Sequence, residues 1–169
     1  LFLISLIYLF LSFLATSIIN FANFADGIDG LLASVMIIVF SLSAFHNISN
    51  SFIWGLVGAL IAFLFFNWQP SKLFMGDVGS TFLGAVFFGI IFNSDTLKEA
   101  TLILLPVIPL FTDTFITVLR RFFAGENIFQ AHSLHLFQRL YRAGWSHSKV
   151  TIFYISITFL LGIFSLLNS

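Results

Sequence analysis

A chain of 169 residues that is 59% hydrophobic and only 8% charged, with a mean hydropathy of +1.07, is far more apolar than a soluble domain, in which about 25% of residues are charged. It reads as a membrane protein. The absence of cysteine excludes disulfides and thiolate metal sites, and a formal net charge of zero argues against a nucleic-acid binder, which would carry a basic stripe.

No basic segment and small-residue cleavage site precede the first apolar run, and the sequence begins at Leu1 without Met, so it reads as a fragment lacking a signal peptide. Six apolar runs then approach the roughly 20 residues that a membrane helix needs: Leu1 to Ile19, Leu31 to Phe45, Phe52 to Phe66, Thr81 to Phe92, Thr101 to Leu119 and Val150 to Leu167. Several are short by that rule and must borrow from their flanks or lie against protein. The expected architecture is an all-α polytopic helical bundle with about six transmembrane helices, forming a single domain over residues 1–169 that is incomplete at its N-terminus.

Alternation of sides places Asn20 to Gly30, Asn67 to Ser80 and Arg120 to Lys149 on one membrane face. Lys72, Arg120, Arg121, Arg139, Arg142 and Lys149 lie there and only Lys98 on the other, so the positive-inside rule makes that face cytoplasmic. Asp26, Asp29, Asp77, His132, His135 and His147 collect on the same face.

In the first of these segments Asn20, Asn23, Asp26 and Asp29 recur every three residues. If helical, they present amides and carboxylates to one broad sector, suited to a ribose, a base edge or a metal-bound phosphate. The alternative is capping, with Asp26 or Asp29 as N-cap of the run starting near Leu31, but capping accounts for one aspartate only.

The stretch Asn67 to Ser80 centres on Asp77, flanked by Gly76 and Gly79 and by charge-free runs. Glycines beside a carboxylate let a phosphate or metal approach the backbone, although Gly and Asp also make ordinary turns. Further on, Pro106 and Pro109 should break the fifth span, and Asp113, a charge at membrane depth, is expected to be functional or paired with Arg120 or Arg121.

In the last loop, His132, His135 and Arg139 are spaced to share a helix face that offers donors to an anionic phosphate. Zinc is disfavoured there because no third soft ligand lies near. His147, beside Trp145, reads as an interfacial anchor.

These motifs, Asn20-Phe-Ala-Asn-Phe-Ala-Asp-Gly-Ile-Asp-Gly30, Phe66-Asn67, Pro70, Phe74-Met-Gly-Asp-Val-Gly-Ser80, Arg120-Arg121 and the histidine loop, resemble the polyprenyl-phosphate N-acetylhexosamine-1-phosphate transferases over nearly the whole chain. The resemblance implies transfer of a sugar-1-phosphate from a UDP-activated amino sugar to polyprenyl (undecaprenyl) phosphate, with magnesium (Mg2+) as cofactor and UMP released at a cytoplasm-facing site of the bacterial plasma membrane. It implies Asp77 as the metal ligand, Phe74 stacking on uracil, and Asn23, Asp26, Gly27 and Asp29 in the nucleotide segment, with Asp26 and Asp29 joining Asp77 in catalysis. Asn20 and Asn67 line the same cleft, and His132, His135 and Arg139 contact the donor. The expected partners are the UDP-sugar, the lipid, the membrane and a second copy in a homodimer, with no nucleic acid.

Two departures qualify the resemblance. The family's Asp-Asp pair, which precedes the first helix seen here, is absent, so the chain looks like the C-terminal portion of a larger member. Its histidine pattern, Ala131-His-Ser-Leu-His-Leu-Phe-Gln-Arg-Leu140, is closer to the O-antigen-initiating branch than to the peptidoglycan branch. The competing class is a transporter using the broken fifth helix and Asp113. That reading calls for polar residues at the midplane of several helices, whereas here they crowd one face.

Overall fold

The computed structural model describes residues 1–46, 51–126 and 135–169. All regular structure among them is helical: α1 (Phe2–Ala25), α2 (Leu31–His46), α3 (Ser51–Asn67), α4 (Gly76–Phe92), α5 (Leu97–Leu104), a 3-10 turn (Leu105–Val107), α6 (Ile108–Phe123), α7 (Leu136–Arg142) and α8 (His147–Leu167). The expected helical bundle is present. Three units are long and apolar enough to cross a membrane: α1, the 27-residue α5–α6 composite and α8.

The shorter apolar helices are accommodated by burial. α2 has 16 residues, about 24 Å of rise against a hydrocarbon core of about 30 Å. Leu31, Leu32, Val35, Met36, Val39 and Phe40 on it are all essentially inaccessible. A helix apolar on every side belongs inside a protein, and α2 lies between α3 and α8 while α1 packs along α4. At the α1–α4 contact Gly84 brings the backbones together: a Cβ there would sit 2.8 Å from Ile19 Cα and 3.0 Å from Ala22 Cβ. Small residues at such crossings let helices gain dispersion contacts where no hydrophobic drive operates between them.

The fifth span breaks where the prolines predict. Pro106 lies in the 3-10 turn and Pro109 in the first turn of α6, where a missing N–H costs least. Ser165 of α8 donates its hydroxyl to the Leu102 carbonyl at 2.7 Å, just before the break.

Several helix limits differ from the sequence expectation by extension into a polar segment, among them the starts of α5 at Leu97 and of α8 at His147. α1 continues through Asn20 and Asn23 to Ala25 because nothing before Gly27 interrupts helical geometry. α4 starts at Gly76, so Asp77 and Ser80 are helical instead of loop residues. α6 carries Arg120 and Arg121 in its last turn, where cations favour the negative end of the helix dipole.

Candidate active site

The polar segments converge at one end of the bundle as two adjoining hydrogen-bonded groups. In the first, the Asn23 amide on α1 donates from Nδ2 to Asp77 Oδ1 at 3.1 Å and to Ser80 Oγ at 2.9 Å. Asp77 stands exposed in the first turn of α4, where the helix dipole favours a carboxylate. Gly76 before it has φ +67° and nothing within 4 Å of where a Cβ would stand, so the backbone beside Asp77 is open to a ligand. Gly79 differs, since a Cβ there would stand 2.6 Å from Met75 Cγ.

Asp26, which ends α1, adjoins this group. Partial burial, then repulsion from Asp77, pushes its carboxyl up to about 6. The exposed Asp77 and the partly buried Asp26 supply hard oxygen donors, which fits a magnesium ion completed by phosphate oxygens. No group of three or more acidic, histidine or cysteine side chains gathers among the described residues, so the protein alone offers a sparse ligand set of that kind.

The second group is built around Asp29. Its Oδ1 accepts from Ser71 Oγ at 2.8 Å, its Oδ2 lies 3.1 Å from His147 Nδ1, and its carbonyl accepts from Thr151 Oγ1 at 2.9 Å. Nearby, Gly30 N donates to Asn67 Oδ1 at 3.0 Å and Asn67 Nδ2 donates to the Leu73 carbonyl at 2.8 Å. Ser148 donates through both its N–H and its hydroxyl to Gln69 Oε1, at 2.7 and 3.0 Å. The turn after α1, the α3–α4 loop and the start of α8 are thereby stitched together.

These contacts separate residues that the three-residue spacing had grouped. Asn23 and Asp26 face Asp77, whereas Asp29 turns to Ser71 and His147, so one broad sector becomes two. Neither aspartate caps α2: Asp26 ends α1 and the Asp29 carboxylate is taken by Ser71 and His147. Asn20 is exposed on α1, one turn before Asn23. Asn67 is 5% exposed with both ends of its amide engaged, so it braces the cleft wall from behind instead of lining it. His147 is a partner of Asp29 and not a bare interfacial anchor, because α8 begins at His147 itself and points that side chain inward. Phe74 is 73% exposed beside the Asp77 group, free to stack on a planar ligand.

Helix α7 forms the remaining wall. A Cβ on Gly27 would stand 2.6 Å from Phe137 Cε2, so glycine is what admits this ring beside Asp26. His135 precedes the helix, 3% exposed, with its ring stacked on Phe137 at 5.0 Å. Arg139 is exposed, so the two side chains do not share one open face: His135, the N-cap of α7, is turned inward by its stacking on Phe137. His132 lies outside the described residues.

Asp113 pairs with neither Arg120 nor Arg121. Its Oδ1 accepts from Leu136 N at 2.7 Å and its Oδ2 from Tyr154 Oη at 3.2 Å, while Arg121 is bound to Glu126 at 2.9 Å. A groove of about 450 Å³ runs along α6 past Ile108, Pro109 and Ile116 to Asp113, Arg120 and Arg139.

Sequence reasoning missed Ser71, Ser80, Thr151 and Tyr154. On α8 a signal was present: Thr151, Tyr154, Thr158, Gly162 and Ser165 recur at helical spacing and are all buried. In a membrane helix such residues mark the inward face.

The model of glycosyl transferase family 4 matches residues 2–95, which include Asn23, Asp26, Asp29, Asn67, Phe74, Asp77 and Ser80. The chain belongs to this family. It is a family of phosphotransferase enzymes, and with three membrane-length helices among the described residues the chain is a multi-pass membrane member of it. Over 141 residues it is 31% identical to a phospho-N-acetylmuramoyl-pentapeptide-transferase of Carboxydothermus hydrogenoformans, covering 80% of this chain and 43% of that protein. Over 120 residues it is 38% identical to enzymes of the same name from Rickettsia massiliae and Rickettsia akari, covering 66% of this chain and 32% of each. The chain thus spans less than half the length of the curated relatives it matches.

Proposed function

We propose that the protein transfers an amino-sugar-1-phosphate from a UDP-sugar to a polyprenyl phosphate, releasing UMP, at the cytoplasmic face of the membrane. The observation that carries this reading is the Asn23–Asp77–Ser80 group beside Asp26, within the matched part of the chain. Asp77 would hold magnesium, which supplies charge neutralisation for phosphoryl transfer. The chain's own residues orient the reactants. Asn23 fixes the Asp77 carboxylate, Phe74 offers a face for the uracil, and Asn67 and Asp29 brace the wall behind them. Arg120 and Arg139, in a groove that also holds Asp113, Thr112 and Thr117 among apolar residues of α6, suit a lipid phosphate whose isoprenoid tail follows that helix. Such a reaction asks mainly for positioning and electrostatic neutralisation, and these groups offer both. A homodimer is part of this reading.

For the donor, the histidine-loop pattern favours an N-acetylamino sugar such as N-acetylglucosamine or a deoxy relative, used to initiate O-antigen or a related glycan. A second reading is favoured by the relatives, which are named phospho-N-acetylmuramoyl-pentapeptide-transferases. Membranes containing the full-length protein, given radiolabelled UDP-N-acetylglucosamine or UDP-N-acetylmuramoyl-pentapeptide with undecaprenyl phosphate, separate the two by which lipid product forms. Asp77→Asn should abolish either product while the protein remains inserted. Undiminished transfer by Asp77→Asn would refute the assignment of the metal site.

A further inference from the structure

Asp113 is a carboxylate placed in a span where an ionised group is costly unless its oxygens are engaged. Both are engaged, by unlike partners. Tyr154 Oη, on α8, belongs to the bundle and donates at 3.2 Å. Leu136 N, the first residue of α7, belongs to the surface helix and donates at 2.7 Å. Pairing with Tyr154 alone would join two spans; the Leu136 bond reaches outside them and takes hold of α7.

What α7 touches gives that hold its meaning. Phe137, adjacent to Leu136, is fully buried, sits edge-on to Tyr154 with ring centroids 6.5 Å apart, and lies against the Cα of Gly27, where a Cβ would be 2.6 Å from its ring. Gly27 separates Asp26 from Ile28 in the turn that carries both candidate carboxylates. On the opposite side of α7, exposed Arg139 lines the same groove as Asp113. One carboxylate in the membrane span therefore fixes the first turn of α7, and that turn sets the position of the Asp26–Asp29 segment and of Arg139.

We propose that Asp113, backed by Tyr154, is a positioning residue: through the Leu136 N–H it docks α7 onto Gly27 and so holds the nucleotide segment and Arg139 in register. Its carboxylate acts as a hydrogen-bond acceptor for α7, and no chemical step is assigned to it. The kinetic part of this inference rests on the transferase reading; the structural part does not.

The test uses the full-length protein in nanodiscs, with wild type, Asp113→Ala, Asp113→Asn and Tyr154→Phe compared by hydrogen exchange and by transfer kinetics. Loss of a hydrogen bond to a charged acceptor corresponds to about a tenfold or larger change in a local equilibrium. Asp113→Ala should therefore speed exchange of the amides at 136–139 by about tenfold while α2 stays protected. Asp113→Asn keeps an acceptor oxygen and should restore most of that protection. Tyr154→Phe, which leaves the carboxylate in place, should give a smaller change at the same amides and covers the case in which the alanine variant fails to insert.

In transfer assays Asp113→Ala should raise the donor KM about tenfold with kcat changed far less, and Asp113→Asn should recover the KM. Wild-type protection at 136–139 in both Asp113→Ala and Tyr154→Phe would overturn the proposal. So would an Asp113→Asn protein that keeps α7 protected yet loses kcat, since the charge itself would then be needed in chemistry. If the wild-type protein transfers neither sugar, the functional reading fails, and the exchange arm still decides whether Asp113 docks α7.

Discussion

Asp29 and His147, 118 positions apart in the chain, meet with Oδ2 and Nδ1 3.1 Å apart, and the Asp29 N–H points to the same nitrogen at 3.4 Å. Nδ1 serves one of these at a time: protonated it donates to the Asp29 carboxylate, and deprotonated it accepts from the Asp29 N–H, so one residue of the turn after α1 holds the first residue of α8 in either state. The Thr151 hydroxyl, one helical turn further along α8, secures the Asp29 carbonyl.

This pairing makes a prediction about coupling. Asp29→Ala and His147→Ala should each lower stability by about 1–3 kcal/mol, because each leaves partly buried polar groups unsatisfied. The double variant should cost less than the sum of the two, as expected of residues in one network. Thermal unfolding in detergent measures all three; strictly additive losses would mean that the pair contributes nothing as a pair.

Phe74 is exposed and makes no ring contact with another aromatic among the described residues, so its removal should spare the fold. Stacking on a base is worth about 1–3 kcal/mol, and Phe74→Ala should raise the KM for the UDP donor by roughly 5- to 150-fold with kcat at saturation little changed. A lower kcat with an unaltered KM would remove Phe74 from the nucleotide site.

For Asp26 the prediction concerns pH. Burial and then the Asp77 charge raise its carboxyl to about 6 from an ordinary 3.8. Between these values the folded protein keeps a proton that the unfolded chain has released. The stability contributed by Asp26 is therefore complete below 3.8 and lost as pH rises through about 6. The carboxylic C=O infrared band in metal-free protein should titrate near 6. In Asp77→Asn it should titrate lower yet stay above 3.8, since burial is the larger cause. An unchanged midpoint in that variant would show that the two carboxyls do not interact.

Gly27 supplies a steric prediction. Gly27→Ala places a methyl 2.6 Å from Phe137 Cε2, so α7 must shift. Activity should fall, and Phe137→Leu in the same protein should recover part of it by vacating the contested space. If the single variant behaves as wild type, α7 is not packed there during turnover.

How much of this was legible beforehand varies with the kind of pattern. Apolar run length located every span, and Pro106 and Pro109 located the break, because the bilayer and the pyrrolidine ring act locally along the chain. Asp77 stood out for the same reason, as a charge between two charge-free runs. Pairings between distant segments were not readable. Asp113 offered Arg120 and Arg121 within its own helix but took a backbone N–H from α7 and a hydroxyl from α8. His147 was assigned by its neighbour Trp145, although its partner comes from the turn after α1. Sequence spacing reports which residues share a helix face, and it is silent on which other segment that face will meet.

The enclosure of α2 has a consequence for assembly. Its walls are α3 and α8, and α8 is made long after α2 has entered the membrane. At roughly 5–20 residues per second, about a hundred intervening residues take on the order of 5–20 seconds to synthesise. Throughout that interval a 16-residue helix, too short to match the bilayer, lacks the partner that covers one of its faces in the finished bundle. The arrival of α8, with His147 reaching the turn immediately before α2, ends that provisional state, so the bundle closes from its most distant segment inward.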